Sequence, residues 1–170
     1  MAASAATVQS LTVHHHRNRY VVDLHMRLDA SMNAVYSVLT DYSHLQRVNS
    51  AIRYTRVLPT RPGRPIEVKS RVHMCIAFFC RNMDQVQKMH ATPPDRIRAK
   101  IVPGKSDFKA GKAYWHLSRN GHHTLLHFHA SLTPDFWVPP MIGPWLIERE
   151  LREQAVRTGN GVEKAAKAMH

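Results

Sequence analysis

The sequence predicts an α+β domain in which a strongly curved antiparallel sheet of about six or seven strands wraps a long C-terminal helix. Three observations carry that expectation. Strand-like stretches cluster between helical segments at the two ends of the chain, an order that argues α+β rather than alternating α/β. Tyr20, Val22, Leu24, Met26 and Leu28 alternate with Val21, Asp23, His25 and Arg27, the period-two pattern of a half-buried strand. Asn120-Gly121 lies between two further strand-like stretches, a strong hairpin signal.

Taken in order, residues 1–18 are expected to be disordered, and 19–170 to form one domain. The run His14-His15-His16 sits at the edge of structure. After the first strand, Asp29 or Ser31 can cap a helix whose Ala34, Val35, Val38 and Leu39 make an apolar stripe. Asp41-Tyr42-Ser43 starts a second short helical segment through Val48. Ile52 to Leu58 reads as a strand, closed by Pro59 and the turn residues 61–65. Ile66, Val68, Ser70, Val72 and Met74 alternate in the next. Cys75 to Phe79 reads as its end and reversal, with a strand returning from Arg81 to His90. Ile97 to Val102 is another strand. Cys75 and Cys80 are too few for a disulfide framework or a four-cysteine zinc site, and a bridge between them needs a hairpin turn. Two buried thiols are the expectation.

A type I′ turn at Asn120-Gly121 sets Leu117 opposite Thr124, Trp115 opposite Leu126 and Ala113 opposite Phe128. One face then carries Trp115, Leu117, Leu126, Phe128, Ala130 and Leu132. The other carries Tyr114, His116, Ser118, His123, Leu125, His127 and His129. The first set is the core side. An apolar connection, Phe136 to Trp145, leads into the last helix, where Ile147, Leu151, Ala155, Val162, Ala165 and Met169 share a stripe. Glu148 and Glu150 suit the positive end of that helix. Gly159-Asn160-Gly161 weakens it, by about 1 kcal/mol per glycine relative to alanine, and predicts a kink or break.

Composition narrows the function classes. The chain has 170 residues with 24 Lys and Arg against 12 Asp and Glu, a net charge of +12 that favours polyanions such as RNA or an anionic lipid surface. The basic residues are scattered singly, which reads first as a solvated basic surface. No apolar run approaches the roughly 20 residues needed to span a bilayer. Met1 to Thr12 lacks the pattern of a secretory signal, so a cytoplasmic location, peripheral to a membrane at most, is expected.

The stretch Ala34-Val35-Tyr36-Ser37-Val38-Leu39-Thr40-Asp41-Tyr42 is similar to the first helix of a known family. Asp107 to Leu117, with Phe108, Gly111, Trp115 and Leu117, is similar to its late strand. Asp135-Phe136, Pro139-Pro140 and Gly143 resemble its approach to the last helix. Together, over roughly Arg19 to Lys167, these resemble the START-like (SRPBCC) superfamily, and within it the polyketide cyclase/coenzyme Q-binding proteins. The glycine-containing insertion 159–161 and the Cys75-to-Cys80 turn depart from that pattern. The resemblance implies a helix-grip fold and a hydrophobic ligand, such as a lipid, quinone or polyketide, held between sheet and helix.

Candidate cavity residues are Val72, Met74, Trp115, Leu117, Leu126 and Phe128 from the sheet, with Ile147 and Leu151 from the helix. The same residues equally suit an ordinary packed core. Phe136, Trp137, Met141 and Trp145 are the candidate cavity mouth or membrane contact, since tryptophan favours the bilayer interface. The alternative there is a plug at the helix start. A metal site at His116, His123, His127 and His129 is not expected, because no carboxylate or cysteine is seen to join them. No cofactor is expected, and no catalytic motif is present. Tyr36, Tyr54, Asp84 and His90 are the only candidates for a catalytic pair. The expected function is hydrophobic ligand binding or transfer at a membrane surface. A ribosome-associated protein and a polyketide cyclase/aromatase are the alternatives.

Overall fold

The computed structural model describes residues 6–169. In chain order its elements are β1 (Thr7–His16), β2 (Arg19–Leu28), α1 (Met32–Thr40), a 3₁₀ helix (Tyr42–Arg47) and β3 (Ile52–Val57). There follow β4 (Ile66–Ile76), β5 (Phe79–Thr92), β6 (Arg96–Ile101), β7 (Phe108–Asn120), β8 (His123–Pro134) and α2 (Pro144–Lys167). The strands form one antiparallel sheet in the order β1-β2-β8-β7-β6-β5-β4-β3, and α2 packs across its inner face beside α1. This is the helix-grip arrangement, with eight strands where six or seven were expected.

The extra strand is β1, in the segment expected to be disordered. Its Leu11 and Val13 lie opposite Leu24 and Val22 and are buried. Val8, opposite Met26, also packs against the core, but a register shift between Val8 and Ser10 breaks the alternation, so the pattern is too short to read. Ser31 caps α1, its Oγ accepting from Ala34 N at 3.3 Å, and Ala34, Val35 and Val38 are buried as their spacing implies.

The β7–β8 loop is Gly121-His122, one residue later than expected. Gly121 has φ +61° while His122 is not in the left-handed region, as in a turn that places glycine first in the loop. Leu117 therefore opposes Leu126, Trp115 opposes Phe128 and Ala113 opposes Ala130. The partners shift by two residues, and because side chains alternate with period two, every residue keeps its face. The β4–β5 hairpin also turns in two residues, with Ala77 at φ +53°. That turn puts Cys75 directly opposite Cys80, and the two form a disulfide instead of separate thiols.

The helix α2 runs through Gly159-Asn160-Gly161 without the expected break. Both glycines mark close approach. A Cβ at Gly159 would lie 2.6 Å from both Ala6 Cβ and Met26 Cε, and one at Gly161 would run into the Val48 carbonyl. Asn160 Oδ1 accepts from Ala6 N at 3.1 Å. Nearby, Asn49 Nδ2 donates to Gln154 Oε1 at 2.8 Å and to Thr158 Oγ1 at 2.9 Å, and buried Glu163 accepts from Asp29 N at 2.7 Å. The C-terminal half of α2 is thus pressed onto the chain and tied to it. Its helix starts at Pro144, so Glu148 and Glu150 lie beyond the first turn, and Met169 is exposed past its end.

Gly161→Ala is expected to lower stability by at least 2 kcal/mol in urea unfolding, although alanine favours a helix by about 1 kcal/mol, because overpacking against fixed backbone costs about 1–3 kcal/mol or more. An unchanged midpoint would mean that α2 does not sit this close.

Candidate functional site

Between the sheet and α2 the packing is incomplete. Two hollows of about 170 and 230 Å³ lie there, and a third of about 290 Å³ lies between the sheet and Leu39, Tyr42, Leu45 and Val48, touching α2 at Thr158. Ligand pockets begin near 300 Å³, so each is small alone. They share walls, however: Val22 and Leu151 belong to the first two, and Trp115, Phe128 and Thr158 to the last two. The middle hollow reaches the tight seat of the helix, with Thr158, Gly159 and Val162 among its walls.

The candidate residues fall within this system with one exception. Met74, Ile147 and Leu151 line the outer hollow, Trp115, Leu126, Phe128 and Leu151 the middle one, and Val72, Trp115 and Phe128 the deepest. Leu117 lines none of them. It is 1% exposed, a core residue packed under α1 and α2.

The outer hollow opens between the β4–β5 hairpin and the 135–143 connection, bounded by Ile76 and Phe79 on one side and Phe136, Val138 and Ile142 on the other. Phe136 is wedged in place: its ring meets Phe108 edge-on at 6.0 Å, and the Arg81 guanidinium lies 4.1 Å from its centre. Trp137, Met141 and Trp145 are not plugs. They stand 72%, 66% and 66% exposed, and Phe78 at the hairpin tip is 69% exposed. Most of the exposed large apolar side chains are gathered at this end.

The deep hollow differs in chemistry. Tyr42, Ser70, Gln85, Gln87 and Thr158 line it among apolar neighbours, and none of these polar residues was foreseen. The Tyr42 hydroxyl is buried without a hydrogen-bond partner, as is that of Tyr36. Burial, with Tyr36 adding to it, pushes the Tyr42 phenol up to about 12. Burial raises Tyr36 as well, with the charge of Asp95 contributing. Alternation on β4 and β5 was the available signal, because Ser70, Gln85 and Gln87 all occupy inward-facing positions.

A family model described as polyketide cyclase/dehydrase and lipid transport matches residues 28–157. The chain belongs to this family. Its fold is similar to that of a START superfamily protein from Mycobacterium smegmatis, with 17% identity, TM-score 0.68, and 88% of this chain and 99% of that one covered. A Thermus thermophilus protein gives 16%, 0.67, 88% and 98%. The Zhui aromatase/cyclase from a Streptomyces species gives 14%, 0.63, 88% and 94%. No curated protein sequence matches the chain.

The four candidate catalytic residues are not brought together. Asp84 and Tyr54 are on the outer face, where Arg71 binds Asp84 through Nε at 2.6 Å and Nη2 at 2.8 Å and lies 5.6 Å from the Tyr54 ring centre. The hydrogen bonds and charge of Arg71 hold the Asp84 carboxyl below its usual range. His90 is also outside, in a groove with Lys88, Arg98, Lys100, Lys112, Tyr114 and His129. Only Tyr36 is near the interior. In this family member, the titratable side chains lining the hollows among the described residues are Tyr20, Arg81 and Tyr42.

The outer histidines do have carboxylate neighbours, contrary to expectation. Asp23 on β2 bonds His25, His127 and His129, while His116 Nε2 is 3.5 Å from Asp95 and His123 Nδ1 is 3.3 Å from Asp29. Partial burial works to raise the Asp23 carboxyl, but hydrogen bonds from His127 and His129 and the nearby imidazole charge bring it below its usual value. Sequence separation of about a hundred residues hid this pairing.

Tyr42→Phe removes an unpartnered buried hydroxyl and is expected to stabilise the ligand-free protein by about 1 kcal/mol or more. A phenol whose folded value is raised contributes stability that is present below its ordinary value near 10 and is lost as pH climbs to about 12. The alkaline limb of stability against pH should therefore flatten over that interval in the variant, as read from urea midpoints.

Proposed function

We propose that this protein binds or transfers a hydrophobic small molecule carrying a few polar atoms, taken up at a membrane surface. The observation that carries the reading is the polarity gradient along hollows that share walls. The outer end offers almost only apolar walls, and the deep end is lined by two glutamines, a serine and Tyr42, whose hydroxyl lies buried behind it. Such a lining suits a ligand whose hydroxyl or carbonyl groups lead inward and whose apolar body follows, as a quinone, a polyketide or a polar-headed lipid would present. Val72, Met74, Trp115, Leu126, Phe128, Ile147 and Leu151 form its apolar contacts.

Trp137, Met141, Trp145 and Phe78 are placed to enter the headgroup region of a bilayer, where exposed aromatic and methionine side chains are at less cost than in water. No helix among the described residues is long and apolar enough to cross a membrane. The Cys75–Cys80 bridge favours an oxidising compartment over the cytoplasm, because disulfides persist where thiols are not kept reduced. Binding is preferred to catalysis because, among the described residues, no carboxylate or imidazole lines the hollows to move a proton.

The second reading, an RNA-bound or ribosome-associated protein, rests on a row across the outer face in which Lys88, Lys100 and Lys112 directly oppose one another. Like charges so placed repel unless an anion sits on them. Loss of ribosome co-sedimentation with a steep salt dependence that Lys100→Glu abolishes would favour it.

Native mass spectrometry of untagged protein should show a bound lipophilic species of defined mass. Val72→Phe, which fills the deep hollow, should reduce uptake of that species at least tenfold while leaving the melting temperature within a few degrees. Leu117→Ala should instead cost about 2–5 kcal/mol of stability, being core. Trp137→Ala should weaken liposome co-sedimentation several-fold without changing the melting temperature. Full uptake by Val72→Phe would sink the cavity reading.

A further inference from the structure

On the outer face, away from the hollows, β2 and β8 present a square of four side chains. Asp23 lies opposite His129 and His25 opposite His127 in the strand register. His25 Nε2 is 3.1 Å from Asp23 Oδ1, and His127 Nε2 is 3.0 Å from Asp23 Oδ2. The His25 and His127 rings are stacked with centroids 4.2 Å apart and planes 9° from parallel, and each turns its Nε2 to the Asp23 carboxylate. The ligand atoms of Asp23, His25 and His127 all lie within 4.8 Å of one another.

We infer that Asp23, His25 and His127 form a binding site for a divalent transition-metal ion of the zinc class. Zinc bonds of about 2.0–2.1 Å to imidazole nitrogen and carboxylate oxygen set tetrahedral ligand atoms roughly 3.3 Å apart. His25 and His127 each meet a different oxygen of Asp23, at 3.1 and 3.0 Å, so seating one ion asks the carboxylate to bring one oxygen toward both and the two rings to turn until their Nε2 lone pairs converge. Two imidazoles with one carboxylate and no thiolate is a donor set that suits zinc, copper or nickel and not magnesium or calcium. Binding asks each imidazole to be neutral with its proton on Nδ1, leaving the Nε2 lone pair for the ion.

His129 has the positioning role. Its Nδ1 is 3.0 Å from Asp23 Oδ2, so it holds the carboxylate from the side opposite His25 in the manner of an outer hydrogen-bond partner. The side chains of Asp23, His25 and His127 are 34%, 47% and 35% exposed, which leaves an entry path and a fourth position open to water or an outside ligand. A second group, His73 with Cys75 and Cys80, has its sulfurs joined to each other and is not available in this form.

The test is calorimetric titration of tag-free protein with zinc chloride, with magnesium chloride as the hard-ion comparison. The expected result is one zinc per chain with micromolar affinity and no magnesium binding. His25→Ala and His127→Ala should each lower zinc affinity at least tenfold, and His129→Ala less than either, with folding verified by circular dichroism. Should His127→Ala fail to fold, the more exposed His25→Gln and the cobalt-substituted visible spectrum decide the matter, a tetrahedral band lost in the variant being expected. The triple variant His14→Gln, His15→Gln, His16→Gln should bind as the parent does. Absence of saturable binding, unchanged affinity in the His25 variants, or loss of binding in that triple variant would overturn the inference.

Discussion

The close seating of α2 at Gly159 and Gly161 is the constraint on which the rest of the structure depends. A side chain at either position would collide with Met26, with Ala6 or with the backbone of Val48, so the helix reaches the chain only because nothing intervenes. Asn49, Glu163 and Asn160 then lock that half of the helix through hydrogen bonds to backbone or to neighbouring side chains. Asn49 and Glu163 are buried and have their polar partners satisfied, which specifies one arrangement more sharply than apolar packing does. The hollows flank this seat: Thr158, Gly159 and Val162 wall the middle one, and Val48 and Thr158 the deep one.

The electrostatics sort in the same way between two faces. Inside, polar side chains are mostly neutral, Arg81 at the outer hollow and buried Glu163 apart, and burial raises the tyrosine hydroxyls. Outside, lysines, arginines and histidines spread over the convex side of the strands, with Asp23, Asp84 and Asp95 pairing some of them. The net charge of +12 therefore belongs to a surface from which the ligand space is shielded. Whatever the basic face attracts and whatever the hollows hold are recognised by independent chemistry.

Much of this was legible before any coordinates. Alternation in Tyr20 to Leu28 and in Ile66 to Met74 gave the inner face directly, because burial enforces period two. The β7–β8 faces were right although the turn was misplaced, since the glycine sat first in its loop and the resulting shift was even. Other features were illegible for definable reasons. The glycines of α2 lower helix propensity locally, and only the approach of Ala6 and Met26 to Gly159 and of Val48 to Gly161, all more than a hundred positions earlier, explains their presence. Asp23 joins histidines that are equally distant in sequence. The Cys75–Cys80 bridge depended on a two-residue turn through Ala77 in a conformation that sequence gives no reason to expect of alanine.

That bridge has a mechanical meaning. It closes a loop of only a few residues, so it removes little freedom from the unfolded chain and adds little to global stability by the usual entropic argument. Its effect is local. Strand ends at a hairpin tip normally fray, and here the tip is stapled one pair of residues before the turn. The side of the outer hollow formed by Ile76 and Phe79 is consequently braced, and the proline-rich connection opposite carries no such staple.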